Sequence, residues 1–244
     1  MYQGYQPEMR CEARSGGTGV SFGIAVLVAF LTFGATVQPV DAKPYPDGAR
    51  WRQQLVRILG TTFNNRNEPV GVVGELVVGL EQRDDHRGIM VTFDDQPGRF
   101  SSRAQAAVLA AIDRTARTAG LNTDSWSVLL AVPSVGLTVY GESLSAMVGL
   151  TVVALAKGDF IPPDHVITGT VTNDGRIGAV TGVPLKVEAA GQDGMKRILV
   201  PQQSAEADGE WRTPFLVQVS PVNSVPEAYE ALTGQPLQSG QESR

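Results

Sequence analysis

Reactive side chains are scarce in this chain: one cysteine, Cys11, and two histidines, His86 and His165, occur among 244 residues. A chain processed downstream of Cys11 would hold neither a disulfide nor a thiolate metal site, so its stability has to come from packing. No H-E-x-x-H pattern and no carboxylate cluster with helical ligand spacing is present, and no metal or other cofactor is expected. Lysine and arginine are scattered through a chain of net charge -5, without the basic stripe that tracks a phosphate backbone, which argues against a nucleic-acid partner. The phosphate-binding pattern G-x-x-x-x-G-K-[ST] is missing as well, so any activity is expected to be ATP-independent.

Charge is also absent from Val20 to Val37, which follows Arg10 and Arg14 and ends before Gln38-Pro39. An apolar run of this length without a polar face reads as a signal peptide or an uncleaved transmembrane anchor. Cleavage after Ala42 would leave a chain beginning at Lys43, and Met9 offers an alternative start. The expectation is an exported protein, periplasmic or extracellular, or one attached to a membrane with its domain outside the cytoplasm.

Residues 43–68 read as an N-terminal extension with one amphipathic turn around Trp51, Leu55 and Leu59. Val70 to Leu80 and Gly88 to Phe93 look like strands that pair as a hairpin across the charged turn 83–87. Ser102 and Gln105 suggest a capping box opening a helix whose face carries Val108, Ile112 and Ala116 and which stops at Gly120. A buried strand follows from Trp126 to Val132, then a loop, then a helix from about Ser143 to Lys157 that is apolar nearly all round and therefore central. Beyond it come a strand over 166–171, a turn at Asn173-Asp174-Gly175, a short strand to Val180, a helix from near Pro184, strands at 197–200 and 215–219, and a last helix over 226–232. This alternation predicts mixed small sheets packed with helices, with a polar tail over 234–244.

With cysteine and metals excluded, a Ser-His-Asp triad would rest on His165 alone, and a strand-start histidine is an ordinary structural residue. What remains is a hydroxyl activated by a lysine: Glu142-Ser143-Leu144-Ser145-Ala146 opens the central helix, and Lys186 follows 41 residues after Ser145. A serine in the first turn of a helix lies near backbone N–H groups and the positive end of the dipole, which suits an oxyanion. Position alone favours a plain capping role for Ser143 or Ser145.

Several stretches, in order, resemble the proteolytic domain of Lon proteases: Val70-Gly71-Val72-Val73-Gly74, Ala104-Gln105-Ala106-Ala107, Gly141 to Ala146, Ile167-Thr168-Gly169-Thr170-Val171, Gly175-Arg176-Ile177, Thr181 to Lys186, and Met195 to Pro201. The resemblance implies that family's α+β fold over residues 69–233 and a serine endopeptidase acting on protein or peptide substrates. It implies Ser145 as nucleophile, Lys186 as base, Thr168 beside the lysine, and Glu142 as the acidic residue three before the serine. Glu142 also reads as a plain exposed acid at a helix start. Two departures fall on the rim of the site: Met147 stands where the family has glycine, and Thr138 to Leu144 replaces a Pro-Lys-Asp-Gly-Pro run. The alternative is a Lon-fold module without peptidase activity that binds partner proteins, exported or membrane-anchored. A homo-oligomer is compatible with either.

Overall fold

The computed structural model describes residues 50–207 and 214–237, all within one unit, Asp41–Arg244. Two long strands open it, β1 (Trp51–Phe63) and β2 (Pro69–Gln82), followed by β3 (Met90–Asp94), β4 (Arg99–Phe100), helix α1 (Ser102–Thr118), β5 (Trp126–Ala131), β6 (Thr138–Val139) and helix α2 (Ser145–Lys157). The second half runs β7 (His165–Ile167), β8 (Thr170–Val171), β9 (Ile177–Gly178), α3 (Val183–Gln192), β10 (Arg197–Pro201), α4 (Gln202–Ala207), β11 (Gln218–Val222) and α5 (Val225–Thr233). The strands form a four-stranded sheet ordered β1-β2-β5-β3, a three-stranded sheet β11-β10-β7, and two small pairs, β4-β6 and β8-β9. This is the mixed α+β arrangement expected from the alternation of patterns.

The first half differs from its sequence reading in two places. Trp51, Leu55 and Leu59 recur at helical spacing, yet 51–63 is a strand paired antiparallel with β2 along its full length, Leu59 opposite Val73. The even residues Gln54, Val56 and Ile58 are buried, while Trp51 and Leu55 stay exposed. A two-residue period therefore describes this segment, and a continuous ladder outweighs the weak local preference for a helical turn. The expected hairpin of 70–80 with 88–93 does not form either. β5 lies between the two, antiparallel to β2 and parallel to β3.

Smaller shifts concern element ends. α1 is capped by Ser101, whose side chain accepts from the Ala104 N–H, rather than by Ser102. The last strand lies at 218–222, and 215–216 is an exposed turn.

Two apolar clusters meet at the β1–β2 hairpin. The larger gathers Val56, Ile58, Leu76 and Val78 with α1 and α2; the smaller gathers Leu59 with Val183, Val187, Ala190, Ile198 and Val200. Every residue of α2 from Ser145 to Leu155 is buried. Each large apolar side chain in that set contributes roughly 1.5–3 kcal/mol through burial.

The expected signal peptide or transmembrane anchor, residues 1–42, lies outside the described residues. Among the described residues no helix is long and apolar enough to cross a membrane. Spanning a bilayer takes about 20 apolar residues, whereas α1 has 17 and is amphipathic, and α2 has 13 and is enclosed in the core. The described residues thus supply no support for the expected membrane attachment, signal peptide or exported or membrane-anchored location, and these expectations are not carried further.

Candidate active site

α2 begins at Ser145 with Leu144 as its N-cap, and no side chain caps it. Ser145 is therefore the first helical residue. Its hydroxyl is not engaged by the helix backbone, which removes the capping role favoured by position alone. The residue is 1% exposed, and among the described residues its Oγ makes no hydrogen bond. Its N–H donates to Glu142 O at 2.9 Å, and the Ala146 N–H donates to Gly169 O at 3.1 Å.

Gly169 ties the serine segment to the rest of the site. Its own N–H donates to Ser143 O at 2.8 Å, so two backbone bonds stitch 143–146 to the link between β7 and β8. Thr168, one residue earlier, is fully buried and donates its N–H to Leu199 O of β10 at 3.1 Å. The three-stranded sheet thus sets the position of Thr168, and Thr168-Gly169 in turn sets the position of the start of α2.

Lys186 arrives from the other side. α3 follows Gly182, whose positive φ of 69° suits glycine, and has Pro184 in its first turn. Its packing on β2 depends on Gly71, where an added Cβ would lie 1.9 Å from Leu185 O. That close approach carries Lys186 into the interior. It is 3% exposed, and its Nζ donates to Thr168 Oγ1 at 3.2 Å. Among the described residues no carboxylate pairs with it. Burial disfavours the ammonium and lowers its pKa from 10.5 to about 8. A lysine that is buried, without a counter-ion and able to lose its proton near neutral pH is the kind of group that serves as a base.

A cavity of about 710 Å³ opens here, lined by Lys186, Glu142, Ser143 and Leu144 and by apolar side chains that include Leu59, Leu137 and Val180. The structure thus brings Lys186 and Thr168 into contact and stitches the serine segment to Gly169 beside them. No hydrogen bond joins Ser145 to Lys186. Glu142 is half-exposed at the mouth, where Oε1 accepts from Arg103 Nε at 2.8 Å and also from Arg103 Nη2. Neither histidine lines the cavity. His165 Nδ1 lies 2.9 Å from Leu232 O, and His86 sits in an exposed turn beside Ser125. Among the described residues no three His, Cys, Asp or Glu side chains gather as a metal site.

Two contributors escaped the sequence reading. Gly169 acts through its backbone, and the Ile-Thr-Gly-Thr-Val stretch was its only signal. Arg103 reaches Glu142 across 39 residues of sequence, and no local pattern announces such a contact.

Residues 99–210 match the family described as the Lon protease (S16) C-terminal proteolytic domain. The archaeal Lon protease of Archaeoglobus fulgidus is similar at 25% identity over 140 residues, 54% of this chain and 22% of that protein. The matched segment holds Ser145, Thr168 and Lys186, the two small strand pairs, helices α2 and α3, and the cavity-lining residues 137–144. Over residues 99–210 the chain carries a segment of the Lon protease proteolytic-domain family, and it spans about a fifth of the length of the curated relative it matches.

Proposed function

We propose that this chain is an ATP-independent serine endopeptidase with Ser145 as nucleophile and Lys186 as general base. The observation that carries this reading is the buried Lys186 amine, whose bonded partner is the neutral Thr168 hydroxyl and whose pKa is lowered to about 8 beside a cavity lined by the serine segment. The neutral amine takes the Ser145 proton as Oγ attacks a peptide carbonyl. The resulting ammonium gives that proton to the departing amine, and the C–N bond breaks to leave an acyl-serine ester. Water, deprotonated by the same lysine, then cleaves the ester and restores the serine. Thr168 orients the amine, and Glu142 holds the loop before the nucleophile. Substrates are proteins or peptides, threaded into an apolar-walled cleft.

The test is hydrolysis of an unfolded protein such as casein without nucleotide, by the wild type and by the Ser145→Ala and Lys186→Met variants. A loss of at least about a hundredfold in both is expected, with wild-type activity rising as pH passes through about 8. Equal turnover by the three proteins would overturn the proposal.

A second reading, a protein-binding module without peptidase activity, draws on the unbonded Ser145 Oγ and on the commitment of the Ser145 and Ala146 N–H groups to Glu142 O and Gly169 O. Retained binding of casein without cleavage in the same assay would favour it. Catalytic hydrogen bonds are commonly loose before substrate arrives, and the endopeptidase reading is preferred on that ground.

A further inference from the structure

The start of α1 is bound to the loop that precedes the nucleophile. Ser101 donates its N–H to Val139 O at 2.9 Å and its Oγ to Tyr140 O at 3.1 Å. These two ties end at Tyr140. Next comes Gly141, an exposed residue that has no side chain to restrain it and whose added Cβ would meet nothing nearer than 3.8 Å. Restraint resumes at Glu142, whose carboxylate is held by Arg103 Nε at 2.8 Å and by Nη2, and whose carbonyl accepts the Ser145 N–H at 2.9 Å.

We propose that Arg103 is a positioning residue for Ser145, acting through Glu142; the proposal rests on the peptidase reading above. The ion pair is exposed, with the Arg103 side chain 76% and Glu142 41% accessible, and exposed pairs add little to stability. Its consequence is geometric. It clamps the free pivot at Gly141 from the α1 side, while Gly169 braces 143–146 from the other. With both in place, the first turn of α2 presents Ser145 in one orientation. Without Arg103, residues 141–142 turn about Gly141 up to the braced Ser143, and the Glu142 O that receives the Ser145 N–H moves with them.

Amide hydrogen exchange and casein hydrolysis in the full chain test this together. Arg103→Gln should raise exchange at the Ser145 amide about tenfold with later α2 amides unchanged, and lower kcat about tenfold with KM within about twofold. The melting temperature should hold. Arg117→Gln removes a comparable exposed pair with Asp113 on the same helix and should alter neither readout. Exchanging the charges, Arg103→Glu with Glu142→Arg, should recover kcat relative to either single change. Ser145 exchange and kcat at wild-type values in Arg103→Gln would overturn the proposal. Faster exchange at Ser145, in a protein whose wild type and Ser145→Ala variant cleave casein equally, would leave the clamp standing and sink the peptidase reading instead.

Discussion

The two clusters that meet at the β1–β2 hairpin deliver the two halves of the proposed dyad by different means. α2 is buried from Ser145 to Leu155, and its start is stitched by backbone bonds to Gly169, so the place of Ser145 is set by packing that does not involve its hydroxyl. α3 buries only Val183, Lys186, Val187 and Ala190, and one of these four is a lysine. On one side the reactive group is incidental to stability. On the other it is a burden that the smaller cluster carries.

The sharpest way to break this contrast is to disturb each helix at its glycine contact. At Gly71 an added methyl would overlap Leu185 O at 1.9 Å, and at Gly149 it would lie 2.6 Å from Thr115 Oγ1 and 2.9 Å from Ala111 O. Gly71→Ala is expected to cost 3 kcal/mol or roughly more and to abolish activity by displacing α3, whereas Gly149→Ala should cost about 1–3 kcal/mol, read by urea unfolding. Equal costs would mean that the two helices are held alike.

Next in size is Lys186→Met. The pKa of Lys186 is lower in the folded chain, about 8 against 10.5, so the unfolded chain binds more protons between those values. Wild-type stability is therefore lowest below pH 8 and rises as pH climbs through 8 to 10.5. The depression corresponds to about 3 kcal/mol. Lys186→Met should be more stable than wild type by about 2–3 kcal/mol at pH 7 and should lose this alkaline rise, seen as urea midpoints measured from pH 6 to 10. A destabilised Lys186→Met would contradict the buried, unpaired amine.

Thr168→Val tests the single bond to that amine. Losing the Oγ1 acceptor, which favours the ammonium, should move the alkaline-rising limb of the pH–rate profile to lower pH and reduce kcat about tenfold. An unmoved limb would mean that Thr168 does not act on the lysine. The smallest expected effect is that of Ser145→Ala on stability. With no hydrogen bond to lose, its unfolding free energy should stay within about 0.5 kcal/mol of wild type, even as activity disappears.

Local pattern in the chain made α1, α2 and the strand at 197–201 readable because each carries its own period or turn residues, whereas the expected strand 166–171 is split between two sheets as β7 and β8. Trp51, Leu55 and Leu59 misled because an i, i+4, i+8 recurrence fits a helix stripe, and only the pairing partner 69–82 reveals the strand. The order β1-β2-β5-β3 was likewise hidden, since the choice between β3 and β5 as the neighbour of β2 is made by long-range packing. Ser145, Thr168 and Lys186 could be named from their surrounding motifs. The resemblance also placed Thr168 beside the lysine, but that the serine hydroxyl makes no hydrogen bond among the described residues could not be read from it.

The amino-acid sequence by itself determined the available chemistry: few histidines, a lone cysteine near the start, and a serine and a lysine in stretches that resemble one family. It also determined which segment would be central, because α2 lacks a polar face and has to be enclosed. Only the tertiary structure decided that no carboxylate among the described residues reaches the buried Lys186, that Gly169 links the two halves of the site, and that Arg103 reaches Glu142. These depend on contacts between residues far apart in the chain, where burial and proximity are set by how the sheets and helices close around one another.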